Sequence, residues 1–519
     1  MNRRPRVVLI EPDINPISRR FGLPLIATYP PLAQIRLAGQ IEGADIEIVD
    51  FRIRGERRRF LERVRTDPPD LVGISLTFTS NGEEAIAAAS DLRRACPATT
   101  IVLGGTAPSE EPEAFYNSAA DLICFRGGDM ALASLVAQIA ETRERPASFP
   151  GFFHREDGRW TLTPGPTMAR PMSHLRPYAW HLLPGRYWRS YLQGFRPAGI
   201  GQMSEGCPFD CNFCSVWMTH GRKVSLASLE NVKHDFRSLP PLARTVLLAD
   251  DIFMQGSEKQ IRELHDPLLK WLSSDFLPRR MSFYITAETR TDLYMRQEER
   301  FKSWIREGRL KWIFFGIEAV TDEQLDNYSK RNTVDTNSEA IRAAARAGAS
   351  VLAQIVIPCD ADIAYFDEIV RFLKAHRPWI RVASFTIATP LPGTVLYEEV
   401  LRQSPELADR GVVTHPAFSL FTALMKTKLD IGEFYRQVAR VYRVAQQVRF
   451  RPSQINQLLL AAAFSPWLIS RMIGLPRALR NLTDANTFLE VHRSVQGTRL
   501  MDLPRDMVRA GASASAGAA

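Results

Sequence analysis

Three cysteines fall within one short run, Cys207-Pro-Phe-Asp-Cys211-Asn-Phe-Cys214. The spacing CxxxCxxC can bring three thiolates together on a single loop. Three thiolates can hold three irons of a cubane iron–sulfur (4Fe-4S) cluster and leave the fourth iron open, whereas an electron-transfer cluster normally takes four cysteines. An open iron can bind a reactant, so the loop reads as a catalytic metal site. A zinc site would need a fourth Cys or His at a recognisable step, and His220 follows Cys214 by six residues, longer than the usual spacing. Two disulfides would need four cysteines, and the run has three. Cys96, Cys124 and Cys359 each stand alone in apolar or strand-like surroundings and read as buried free thiols.

The residues that could serve such a loop recur at the ends of apolar strand-like runs. Runs at 199–203, 246–249, 282–286, 313–317, 352–357 and 383–387 alternate with helical patterns. Six such units predict a partial parallel barrel with its chemistry at the C-terminal mouth. Asp250-Asp251, Glu288-Thr-Arg290, Gly316-Ile-Glu318 and Pro390-Leu-Pro392-Gly393-Thr394 close the second, third, fourth and sixth runs. Trp217 and Trp312 could wall the site, although single aromatics are more often core.

Upstream lies a second alternating unit. Strand-like runs at 7–10, 46–50, 71–75, 101–104 and 122–125 alternate with helical stretches at 32–40, 60–65, 83–94 and 131–139. Continuous apolar strands between helices predict a doubly wound parallel sheet covered on both faces, with ligands at the strands' carboxyl ends. Asp50-Phe-Arg52-Ile-Arg-Gly55, Ser75-Leu-Thr77 and Gly104-Gly105-Thr106 occupy three of those ends. Adjacent glycines would let a backbone approach a flat or phosphate-bearing ligand.

At 519 residues the chain is too long for one core. The pattern divides it into a Rossmann-like domain at 1–150, a Pro-, Trp- and Tyr-rich connector at 151–196, a barrel at 197–400, a helical region at 401–505 and a tail at 506–519. The tail's small-residue composition predicts disorder. The opening residues carry no secretory signal, and a cluster loop favours a reducing cytoplasm. The net charge of +9 is moderate. From 434 to 483 there is no Asp or Glu, while eight arginines flank the apolar segments 458–464, 467–469 and 472–475. That composition suits either an interfacial helix on an anionic membrane or a helical cap on the barrel. The apolar run is too short and interrupted to span a bilayer. Nucleic acid is not favoured, because no binding motif accompanies the arginines.

The cysteine loop, with Phe213 just before its last cysteine, resembles the radical SAM superfamily. The resemblance implies that the open iron chelates S-adenosylmethionine and that one-electron cleavage yields a 5′-deoxyadenosyl radical, with an electron donor such as flavodoxin or ferredoxin. It also implies that Phe213, Asp250, Asp251, Glu288, Arg290, Gly316 and Glu318 bind S-adenosylmethionine. Arg290 would fork onto the methionine carboxylate, and Glu288 would accept from the amine or ribose.

The three N-terminal strand ends are similar to the cobalamin-binding pattern DxHxxG, SxL or SxT, then GG. This assigns Asp50, Arg52, Gly55, Ser75, Thr77, Gly104 and Gly105 to cobalamin. The family's histidine is Arg52 here, so cobalamin is expected to bind without histidine on cobalt. A second N-terminal cluster, as in methylthiotransferases, would need three more cysteines there, and only Cys96 and Cys124 are present.

Residues 390–394 resemble the PxPGT signature of cobalamin-binding radical SAM proteins. The blocks at 206–211, 317–319, 389–394 and 420–435 resemble the hopanoid C-3 methylases. The implied reaction is methylation of an unactivated carbon on a polycyclic lipid. The alternative is a tetrapyrrole-modifying enzyme of the anaerobic magnesium-protoporphyrin ester cyclase or bacteriochlorophyll methylase type. A non-catalytic cobalamin or light sensor would leave the cysteine loop idle.

Overall fold

The computed structural model describes residues 3–77, 79–142, 144–165, 170–194, 196–217, 221–403, 419–446 and 466–496. The chain opens with β1 (Arg6–Glu11), a run of Val, Leu and Ile that alternates between two cores. It continues through the two-residue β2 (Ala27–Thr28), then β3 (Asp45–Asp50), β4 (Leu71–Leu76), β5 (Thr100–Gly105) and β6 (Leu122–Cys124). Strands β3, β1, β4, β5 and β6 run parallel in that order. Val7 and Leu9 pack beneath the helices Leu32–Gln40 and Gly128–Thr142, whereas Val8 and Ile10 face Glu56–Val64 and Gly82–Ala95. Burial on both faces is why these strands lack polar alternation. From β1 the chain crosses to β3 on one side and then to β4 on the other. A ligand crevice belongs at this reversal of direction, between the carboxyl ends of β1 and β4.

A hairpin of β7 (Phe152–Glu156) and β8 (Arg159–Leu162) extends this sheet, antiparallel, beyond β6. The sequence reading gives those residues to the connector. They join the first sheet because Phe152 and Phe153 bury against it, with Trp160 stacked on Tyr116 at 5.3 Å.

The second sheet contains β9 (Leu192–Gln193), β10 (Arg196–Gly201), β13 (Thr245–Leu248), β14 (Tyr284–Arg290), β15 (Leu310–Glu318), β16 (Ser350–Ile357) and β17 (Ile380–Ile387), while β11 (Ser204–Glu205) and β12 (Ser225–Leu226) form a separate ribbon. Strands β10 and β13 to β17 are parallel and form the expected half-barrel. Its edge is extended by β9 and then by β2, which reaches in from the first domain.

The connector is a buried seam. Tyr187, Trp188 and Tyr191 are buried, and Trp180 donates from Nε1 to Asp235 at 2.8 Å on the barrel helix Leu229–Ser238. On its other side the Ala179 amide donates to Ile35 O at 3.1 Å. Gly39 permits that approach, since a Cβ there would lie 2.5 Å from Pro177 O.

The C-terminal helix Ile431–Gln446 packs on the last barrel units, with Phe434 edge-on to Phe366 and the Tyr442 hydroxyl donating to Phe385 O at 2.7 Å. Helix Ala485–Gln496 then stacks Phe488 on Tyr435 and sets it, tilted, against Phe21 of the first domain at 4.7 Å. These helices are therefore a cap, and Arg440 is paired with Asp367 at 2.7 Å. No described helix is long and apolar enough to cross a membrane. Of the apolar segments on which the lipid-surface expectation rests, 458–464 lies outside the described residues, whereas 467–469 and 472–475 fall in the helix Pro466–Thr483.

Candidate functional site

The cysteine loop leaves the top of β10 and is held by the neighbouring strand ends. Gly206 has φ of +89°, and a Cβ there would meet Lys223 O at 2.2 Å, so only glycine fits this turn. The Gly206 amide donates to Asp251 Oδ2 at 2.7 Å, and its carbonyl accepts from Gln255 Nε2. The Cys207 amide donates to Gly221 O at 3.1 Å, and that of Asn212 to Tyr328 O at 3.2 Å. Asn212 O accepts from the Leu396 amide at 2.9 Å, which ties the loop to the turn at 390–394. That turn has Gly393 at φ +78° and the Thr394 hydroxyl donating to Leu391 O at 2.7 Å.

Cys211 is buried, and Cys207 and Cys214 are half-buried. Burial pushes the Cys207 thiol up, and it pushes Cys214 up to about 12. Metal binding would displace those protons. Among the described residues, no three His, Cys, Asp or Glu gather around one point. Polar atoms wait unpartnered nearby: Asp210 Oδ1, Trp217 Nε1 and Gln255 Oε1 are buried without a hydrogen bond.

The strand-end residues divide by role. Asp250 is a backbone staple: its Oδ1 accepts from Met203 N at 2.6 Å and Ser204 N at 3.1 Å, and burial raises its carboxyl to about 7. Phe213 stands edge-on to Tyr328 at 5.1 Å, beside Ala319, Val356 and Ala388. Glu288 stands on β14 with its carboxyl raised to about 7, first by burial and then by the Glu318 carboxylate. Glu318 sits at φ +60°, where β15 bulges against β16, and pairs with buried Lys330 at 2.8 Å. Gly316 is small for that pair: a Cβ would come within 2.4 Å of Glu318 Oε1.

Arg290 is buried and committed to the protein. Its Nε donates to Asp292 Oδ1 at 2.8 Å, Nη2 to Lys330 O at 2.7 Å, and Nη1 to Cys211 Sγ at 3.8 Å. Its guanidinium lies 3.7 Å above the centre of the Phe209 ring.

In the first domain, Arg52 donates from Nε and Nη2 to both oxygens of buried Asp50, at 2.9 and 2.7 Å, and from Nη2 to Tyr29 O at 2.9 Å. Glu11 lies 3.7 Å from its Nη1 and is raised to about 7, chiefly by burial. The Tyr191 hydroxyl donates to Asp50 Oδ2 at 3.1 Å. No imidazole occupies this position, and the guanidinium that replaces it cannot ligate a metal. Ser75 pairs in register with Gly104, and Thr77 is exposed just beyond β4. Gly105 is needed by the sheet itself: at φ +103°, a Cβ there would lie 2.3 Å from Leu76 O. Gly55, at φ +84°, opens the helix Glu56–Val64.

Sequence reasoning missed Glu11, Lys330 and the contact of Arg36. Glu11 ends β1 as Asp50 ends β3, which was a readable signal. Arg36, on helix Leu32–Gln40, forks onto Asp129 at 3.1 and 2.6 Å and reaches Glu205, just before the cysteine loop, at 2.6 Å. Nothing local in the sequence announces that bridge.

The comparisons with known proteins follow this division. The radical SAM superfamily model matches residues 202–373 and the B12 binding domain model matches residues 27–136. The hopanoid C-3 methylase of Methylococcus capsulatus is 27% identical over 409 residues, 78% of this chain and 73% of that one. The anaerobic magnesium-protoporphyrin IX monomethyl ester cyclase of Cereibacter sphaeroides is 26% identical over 459 residues, 84% and 70% of the two chains. Among solved structures, the methyltransferase TsrM from Kitasatospora setae, with cobalamin and a [4Fe-4S] cluster bound, aligns with TM-score 0.66 at 16% identity, over 95% of this chain and all of that one. OxsB, with aqua-cobalamin and S-adenosylmethionine bound, gives TM-score 0.66 at 16% identity over 95% and 75%. The fold and the site define a radical SAM enzyme with a B12 binding domain. Within that class the chain is similar to cobalamin-dependent radical SAM methyltransferases.

Proposed function

We propose that this enzyme methylates an unactivated carbon of a polycyclic lipid of the hopanoid kind, using a 4Fe-4S cluster held by Cys207, Cys211 and Cys214. The observation that carries the reading is the cysteine loop itself. It is pinned by backbone hydrogen bonds to the loops after β15 and β17 at the mouth of the half-barrel, with unpartnered polar atoms around it. The cluster and S-adenosylmethionine would supply a hydrogen-abstracting radical, and cobalamin a methyl group. The chain's own residues orient and shield: Asp251 fixes the turn at Gly206, and Glu288, beside the Lys330-paired Glu318, would accept from an ammonium or ribose group. In the first domain, Asp50 and Arg52 define a cobalamin face without histidine. The substrate belongs between the two cofactors.

The name and coverage of the hopanoid relative support a lipid, and the magnesium-protoporphyrin cyclase supports the tetrapyrrole alternative. A one-electron donor of the flavodoxin or ferredoxin type, and contact with the inner face of a membrane, complete the proposal. The test is deletion of the gene followed by joint profiling of lipids and pigments. Loss of a methylated hopanoid is expected, and loss of a modified chlorin with unchanged lipids overturns the substrate. Purified wild-type protein should take up about four irons per chain after reconstitution, as a single cubane requires. Cys211→Ala should abolish 5′-deoxyadenosine formation.

A further inference from the structure

Arg290 was expected to fork onto the carboxylate of S-adenosylmethionine, but its fork is occupied. Asp292 takes Nε, the Lys330 carbonyl takes Nη2, and the ring of Phe209 covers the guanidinium face. The remaining direction, from Nη1, ends on the sulfur of Cys211 at 3.8 Å. The guanidinium is buried, at 4% exposure, so solvent does little to screen it. We propose that Arg290 is a tuning residue for the cluster: its N–H group and charge on Cys211 Sγ set how easily the cluster accepts its electron.

This inference rests on the proposed cluster function and deepens it. Hydrogen bonds to the ligating sulfurs, net charge and solvent exposure are the protein's levers on a cluster's reduction potential. Adding one electron makes the cluster more negative, and a donor fixed against a thiolate stabilises that state more than the oxidised one. Asp292 and the Lys330 carbonyl aim the guanidinium at sulfur, and Phe209 keeps water from its face. The contact comes with the fold, because Arg290 ends β14 and Lys330 follows the loop after β15.

The test is an anaerobic redox titration of full-length, reconstituted protein, followed by electron paramagnetic resonance with dithionite as the one-electron donor. Arg290→Gln keeps a polar side chain and removes the charge. It should retain the wild-type iron and sulfide content, yet show a reduced-to-oxidised ratio at least tenfold lower at a fixed potential, which for one electron is about 59 mV. Arg290→Lys keeps the charge without the fork and should shift in the same direction by less. Affinity for S-adenosylmethionine at the oxidised cluster should stay within threefold. An unshifted potential in a cluster-loaded Arg290→Gln protein overturns the inference. If that variant cannot hold a cluster, an unshifted Arg290→Lys does so instead. A wild-type protein that takes up no cluster refutes the proposed function, which is a separate outcome.

Discussion

Lys330 and Glu318 illustrate how one residue pair shapes the barrel mouth. Glu318 occupies a left-handed backbone position that few non-glycine residues adopt. It stays there because Lys330, only 5% exposed, holds its carboxylate and Gly316 leaves room for both. Lys330→Met removes the cation and leaves a largely buried carboxylate unpaired. The expected cost is about 3 kcal/mol in chemical denaturation of the apoprotein, because breaking one side of such a pair strands the other charge. Adding Glu318→Gln should recover much of the loss. A single variant as stable as wild type would mean that solvent reaches the pair. At this scale the sequence was informative about chemistry and silent about partners. The cysteine spacing and the acids at strand ends were readable, but the fork of Arg290 onto its own chain was not. That fork depends on Lys330 arriving through a loop whose course no local pattern dictates.

Among the elements, the connector deserves a test of its own. Asp235 lies on a barrel helix and accepts from the Trp180 indole, and burial raises its carboxyl from 3.8 to about 7. An acid whose pKa is raised by folding binds its proton more tightly in the native state. Its contribution to stability is therefore full below about 3.8 and is lost as pH rises to about 7. Asp235→Asn keeps the acceptor for Trp180 and removes the titration. Its unfolding free energy should fall less steeply between pH 4 and 7 than that of wild type, by up to ~1.4 kcal/mol per pH unit. Equal slopes in the two proteins would show that Asp235 is ionised in the folded chain. The parallel strands were legible because each is a short apolar run followed by a helical pattern, and β1, β3 to β6, β10 and β13 to β17 lie close to where periodicity puts them. The hairpin β7–β8 and the two-residue strands β2, β9, β11 and β12 were not. Their places come from tertiary contacts, namely Phe152 on the first sheet and Ala27 beside Gln193.

For the whole molecule, the question is what keeps the two sheets in register. Arg36 bridges Asp129 of its own domain and Glu205 of the ribbon before the cysteine loop, and the three side chains are 13%, 8% and 4% exposed. Arg36→Met strands two buried carboxylates. We expect it to lower the unfolding temperature and to split one calorimetric transition into two, one for each sheet. Restoring neutrality with Asp129→Asn and Glu205→Gln should rejoin them in part. A single undisturbed transition would show that the connector alone holds the halves together.

The strand β2 has a consequence for how this chain could be recombined. It belongs by sequence to the first domain and by pairing to the second, and Phe21, a few residues earlier, packs on Phe421 and Phe488 from the far end of the chain. A chimera spliced at the end of the first sheet would carry away the barrel's edge strand and the aromatic seat of its C-terminal cap. To exchange the B12 binding unit between relatives intact, residues 21–29 must stay with the barrel they complete, so the exchangeable module is not a continuous stretch of gene.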